Sequence, residues 1–138
     1  MPTLSTTFAL LRERQACEDG YKKLAKHLGG VRKYGATTPI PLATIVESNG
    51  LDDAFWSLRA VPEAQKAARD KPARLFACDC AERVLPHYEA QYPKDSRVRD
   101  CIAVARRYAN GQATDIEMAA ARDAAGAAAW AAAWAAWA

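Results

Sequence analysis

Apolar residues recur along this chain at helical rather than strand spacing. The clearest stretch is 97–109, where Val98, Cys101, Ile102, Ala105 and Tyr108 fall on one side and Arg97, Arg99, Arg106 and Arg107 on the other, the three-and-four alternation of a helix with one buried face. Pro93 and Asp95 open this helix and Asn110-Gly111 stops it. A second stripe, Ala77, Ala81, Val84, Leu85, Tyr88 and Tyr92, predicts a long helix capped by Asp70, with Pro72 in the first turn where its missing N–H loses nothing. Pro86 lies inside that stripe and predicts a kink or a break, because it removes the bond to the carbonyl of Glu82. Thr114-Asp115-Ile116-Glu117 is a capping box, which opens a last helix running to the end of the sequence.

Upstream the elements are shorter. Ser5 to Leu28 holds Phe8, Leu11, Leu24 and Leu28 among good helix formers. Glycine costs about 1 kcal/mol against alanine inside a helix, so two helices are expected, divided near Gly20. Gly29-Gly30 ends the second. Val31 to Pro41, with Gly35, Thr37, Thr38 and Pro39, reads as a long loop, and Pro41 opens a short helical turn that Asn49-Gly50 closes. LDDAFWSLRAV follows, with Asp52 at the positive end of the helix and Leu51, Ala54, Phe55 and Leu58 as its apolar set. Val61-Pro62 marks the next boundary. Alternating runs of β-branched residues are absent. The pattern therefore predicts an all-α fold: a compact single-domain bundle of five to seven helices ending in an Ala/Trp-rich helix, with 1–48 as basic helices and a Gly/Pro loop and 49–138 as the helical core.

Composition narrows the picture little. With 51% apolar and 25% charged residues in 138, the chain is of ordinary globular type and large enough to bury a core without disulfides or a metal. The formal charge of +3 is uneven: residues 1–34 carry seven Lys/Arg against three Asp/Glu, and the remainder twelve against thirteen. The start, MPTLSTTFALLRERQ, lacks the charged leader and apolar run of a secretory signal, so a cytoplasmic location is expected. There Cys17, Cys78, Cys80 and Cys101 would stay reduced, as small core residues.

The end of the sequence, AAGAAAWAAAWAAWA from Ala124 to Ala138, has no charge, and Trp130, Trp134 and Trp137 stand at i, i+4, i+7 on one side of a helix. Fifteen apolar residues with tryptophan at the centre fall short of the roughly 20 that a membrane span needs. An interfacial helix would carry basic residues opposite, where this one carries alanine, so no membrane role is expected. Two readings stay open. The tryptophans are core knobs with the alanines admitting neighbouring helices, or they are anchors for another protein, a second copy of this chain being one version.

Groups able to do chemistry are few. His27 sits in the lysine-rich KKLAKH and His87 directly follows Pro86, both expected at the surface. In Cys78-Asp79-Cys80 the two thiols point about 200° apart on a helix and cannot share a zinc ion. Asp79 and Arg83 are spaced as a helix-face ion pair. No phosphate loop or nucleophile motif occurs, so neither catalysis nor a cofactor or metal is expected. In YKKLAKHLGGVRKY, Lys22, Lys23, Lys26, Arg32 and Lys33 with flanking Tyr21 and Tyr34 offer a phosphate-binding surface, against the plainer reading of a solvated basic face.

Arg74-Leu75-Phe76-Ala77, Asp79-Cys80-Ala81-Glu82-Arg83-Val84-Leu85 and the Ala109-Asn110-Gly111 stop before an alanine helix, with SNGLDDAFWSLRAV ahead of them, resemble the immunity-five-like family of small helical proteins. The likeness covers about 49–138, and ACEDGYKKL is similar to phage and prophage relatives. The resemblance implies a non-catalytic inhibitor that binds another protein, either a toxin or, for a phage-borne factor, a component of a host defence system. The chain is slightly basic where inhibitors of nucleases are often acidic, so the target implied need not be a nuclease. The alternative is a nucleic-acid-binding accessory protein using the basic N-terminal helix.

Overall fold

The computed structural model describes residues 3–137, the side chain of Trp137 excepted. It divides after Arg69 into two compact units. Among the described residues there are eight α-helices and one two-residue strand pairing, so the all-α class holds.

The N-terminal unit begins where the helical pattern misleads. Ser5–Thr6 (β1) pairs antiparallel with Ile40–Pro41 (β2), Thr6 opposite Ile40. Thr6 is fully buried and its hydroxyl donates to the Ala60 carbonyl at 2.6 Å. The Ser5 amide donates to Gln65 Oε1 at 2.8 Å, and Gln65 Nε2 to Ser5 Oγ at 3.0 Å. Buried polar groups need partners, and these lie more than fifty residues away, beyond the reach of a local pattern. Thr7 then caps α1 (Phe8–Glu13), its Oγ1 accepting from the Leu10 amide at 3.1 Å.

The break after α1 falls at Arg14–Cys17, with Gln15 in the left-handed region at φ 60°. The expected division at Gly20 is not there: α2 (Glu18–His27) runs through it. Gly29 and Gly30, at φ 79° and 99°, end α2 as expected. The segment read as loop contains a single helical turn, α3 (Val31–Tyr34), before β2 leads into α4 (Leu42–Asn49) and α5 (Leu51–Ser57).

Phe8, Leu11, Leu24, Ile40, Ile45 and Ala54 form the core of this unit. Tyr21 and Tyr34 meet the Phe8 ring edge-on at 5.2 and 6.1 Å, a favoured aromatic geometry. α5 turns a different face inward from the one its apolar set predicts: Leu51 and Phe55 are exposed, while Ala54 and Ser57 are buried. Ser57 tolerates burial because its hydroxyl donates to the Ala54 carbonyl at 2.7 Å, and two small residues let α5 lie close to α4. Two 3₁₀ turns, Leu58–Ala60 and Glu63–Gln65, follow.

α6 (Lys66–Gln91) starts before Asp70 and remains one helix through both Pro72 and Pro86, so the break admitted at Pro86 does not occur. Its inward face is Cys78 with half-buried Ala81, Leu85 and Tyr88, whereas Ala77 and Val84 of the predicted stripe are exposed. α7 (Arg97–Ala109) turns inward the residues its pattern names, Ile102 buried and Val98, Cys101, Ala105 and Tyr108 half-buried. It runs antiparallel to α6, since Tyr108 meets Arg74, Ile102 meets Cys78 and Arg99 meets Glu89. The capping box forms reciprocally: the Thr114 amide donates to Glu117 Oε2 at 2.7 Å and the Glu117 amide to Thr114 Oγ1 at 3.2 Å. α8 (Asp115–Trp137) follows and packs along α7.

Candidate interaction surfaces

The last helix has two unlike faces. Met118 and Ala128 are buried, Ala121, Ala124, Ala125 and Ala132 half-buried, so the packing face is mostly alanine. Trp130 and Trp134 are 71% and 72% exposed. This corrects the reading of the tryptophans as core knobs: alanine permits close helix approach, and at the positions facing the unit an indole would not fit. The Trp137 side chain lies outside the described residues. Length adds to the effect. At about 1.5 Å per residue, the 23-residue α8 outruns the 13-residue α7, so its tryptophan-bearing end extends beyond the helix it packs on.

α6 and α7 are joined by charge. Arg106 donates from Nε and Nη2 to Glu82 at 2.8 and 2.7 Å and from Nη2 to Asp79 at 2.5 Å. Asp79 therefore pairs across helices with Arg106 instead of along its own helix with Arg83 as predicted. Arg99 pairs with Glu89. In the turn between the helices, Asp95 accepts from the Arg97 amide, Nε and Nη2 and from the Tyr88 hydroxyl, all within 3.1 Å. The Arg97 guanidinium beside Asp95 holds its carboxyl well below the usual range, and hydrogen bonding to Arg106 likewise lowers Glu82. These are bonded structural pairs and hold no acid or base in reserve.

Between α6, α7 and α8 lies a groove of about 280 Å³. Ile102, Met118, Ala81 and Ala105 floor it, and exposed Ala77 lines it; Cys78 and Cys101 add thiols, and Arg74, Tyr108 and Arg122 stand around it. Burial pushes the Cys78 thiol up from its ordinary pKa, which makes it a poor nucleophile. Nothing in the hydrophobic pattern announces this groove. Its trace in the sequence is the set of small residues on α6 and α7, Ala77, Ala81, Cys101 and Ala105, which read there as part of the helices' apolar stripes.

The basic residues Lys22, Lys23, Lys26, Arg32 and Lys33 are all exposed, on α2 and α3. Lys22 pairs with Glu18, while the other four make no ion pair among the described residues. His27 and His87 are at the surface, as expected. Of the cysteines read as core residues, Cys78 is buried and Cys101 half-buried, but Cys17 and Cys80 are exposed, and all four are free thiols. Among the described residues no cluster of His, Cys, Asp and Glu could hold a metal ion, and no helix is long and apolar enough to cross a membrane.

Fold and surface together define a small helical protein with two exposed tryptophans on its last helix and a groove between its last three helices. Residues 63–136, more than half of the chain, match the family described as Imm-5 like putative immunity protein, and the chain belongs to that family. No curated protein and no solved structure matches it. The matched span begins just before α6 and takes in the groove, the ion pairs of α6 and α7, and both exposed tryptophans of α8.

Proposed function

We propose that the protein is a non-catalytic inhibitor that binds and neutralises another protein, a toxin or a component of a defence system, with Trp130, Trp134 and Trp137 as its anchors. The observation that carries this reading is the pair of indoles more than 70% exposed on a helix that packs by its alanines, inside the family-matched span. Large rigid apolar side chains left in water on the uncharged end of a helix, from Ala124 onward, favour a protein partner, because tryptophan is over-represented among the residues that dominate binding energy. Family membership supports an inhibitory role for that contact. The test is co-expression with the candidate toxin encoded beside the gene. The expected result is a co-purifying complex and restored growth, both lost in the Trp130→Ser/Trp134→Ser variant. A folded protein that protects equally well with both tryptophans replaced would refute the assigned surface, and one that protects against no neighbouring toxin would refute immunity. Self-association through the same face is a further outcome, read from the mass in solution.

A second reading rests on Lys23, Lys26, Arg32 and Lys33, four exposed cations without ion pairs among the described residues. In that reading the N-terminal unit contacts nucleic acid through phosphates. Its mark is an affinity that falls steeply with salt; binding that is absent at low salt disposes of it.

A further inference from the structure

We infer that the groove between α6, α7 and α8 is a binding site for an aromatic carboxylate, its ring on the groove floor and its carboxylate at Arg122. The cavity exists because Ala77, Ala81 and Ala105 do not fill the space between three helices, and at about 280 Å³ it lies at the lower edge of ordinary ligand sites, roughly 300 Å³ and upward. That size admits one ring and a short tail.

The lining selects the chemistry. Three sulfur-bearing side chains, Cys78, Cys101 and Met118, line the floor, and soft polarisable sulfur favours the edge of an aromatic ring over an alkyl chain. Ile102 and Met118, 8% and 7% exposed, are held firmly by the helices and give the groove a fixed apolar base. The rim selects the charge. Arg74 lies over the Tyr108 ring at 4.9 Å and is 3.8 Å from Asp70, and Asp115 accepts from the Tyr108 hydroxyl at 2.6 Å. Asp70 and Asp115 therefore already face a partner, as do Asp79 and Glu82 beside Cys78, which pair with Arg106. Arg122 lines the groove and makes no ion pair among the described residues. It is the cation open to an incoming carboxylate, in a planar fork that matches one.

The same chemistry is offered by a free aryl acid and by a phenylalanine followed by glutamate in a protein chain. The experiment uses the whole protein and follows backbone amide and alanine and methionine methyl resonances. It titrates 3-phenylpropionate, 3-phenylpropanamide, and the blocked peptide acetyl-Gly-Phe-Glu-Gly-amide. The expected result is saturable shifts at Ala81, Ala105 and Met118 with the acid, about fivefold weaker binding of the amide, and loss of that difference in Arg122→Gln. Arg122→Gln changes one exposed side chain, so its unchanged spectrum away from the groove serves as the folding control. Tighter binding of the peptide than of the acid assigns the site to a protein segment, and the reverse assigns it to a small molecule. Equal affinity for acid and amide, or no saturation by either acid or peptide, overturns the inference.

Discussion

Gly20 shows how a single position can invert its usual meaning. Inside α2 it lowers helix propensity, yet a β-carbon there would lie 2.7 Å from Asp53 Oδ2 and 3.0 Å from Cys17 Sγ. The same spot is where Asn49 Nδ2 donates both to the Gly20 carbonyl at 2.8 Å and to Asp53 Oδ2 at 2.7 Å. Close approach of α2 to α4 and α5 thus depends on the missing side chain, and Asp53 is held by Asn49 and cannot simply swing aside. Gly20→Ala should destabilise the protein by about 1–2 kcal/mol: the strain of overpacking, about 1–3 kcal/mol, outweighs a propensity gain of about 1 kcal/mol. A higher urea midpoint in the variant would contradict this. Thr114 is the opposite case, a residue whose sequence meaning and structural role agree. Thr114→Ala removes the acceptor for the Glu117 amide and should cost about 1 kcal/mol in the same measurement.

At the scale of elements, what the sequence discloses depends on how far away the deciding contacts lie. α7 and the start of α8 were readable because their information is local: a clean polar and apolar alternation in one, a reciprocal cap in the other. Ser5–Thr6 was not readable, because the groups that make it a strand are Ile40, Ala60 and Gln65. The inward face of α5 was missed for a related reason, since Ser57 is buried by a bond to Ala54 that hydropathy does not register. Ion pairing follows the same rule, Asp79 choosing Arg106 on α7 over Arg83 on its own helix. The α6–α7 turn adds a pH dependence that the pattern hides. Asp95 has its pKa lowered in the folded state, chiefly by Arg97 and also by Tyr88. The stability it contributes is therefore complete above the ordinary carboxylate range and is lost as the pH falls toward the lowered value. Asp95→Asn should unfold at lower urea than the parent at neutral pH, and the gap should close toward about pH 2. A gap that stays constant across that range would show that the carboxylate charge has no part in holding the turn.

For the whole molecule, the last helix of the family-matched span packs chiefly by alanines, with Met118 at its start, and leaves Trp130 and Trp134 in water. In the sequence, tryptophan is the largest apolar side chain of the last helix and reads either as a core knob or as an anchor for another protein. Geometry decides against the core, because helices drawn close together at alanines leave no room for indoles on the same face. Two substitutions on one helix separate packing from function. Ala128 is 1% exposed, so Ala128→Leu forces new volume into a closed contact and should cost about 1–3 kcal/mol. Trp130→Ser/Trp134→Ser removes far more apolar surface, yet from positions already in solvent, and should change the unfolding free energy by no more than about 0.5 kcal/mol. The ordering is opposite to the one hydrophobicity alone predicts. If the tryptophan variant were the less stable of the two, the indoles would be part of the fold, and the surface proposed here for a partner would instead be an internal contact of the monomer or of its own dimer, the two distinguished by whether the loss depends on protein concentration.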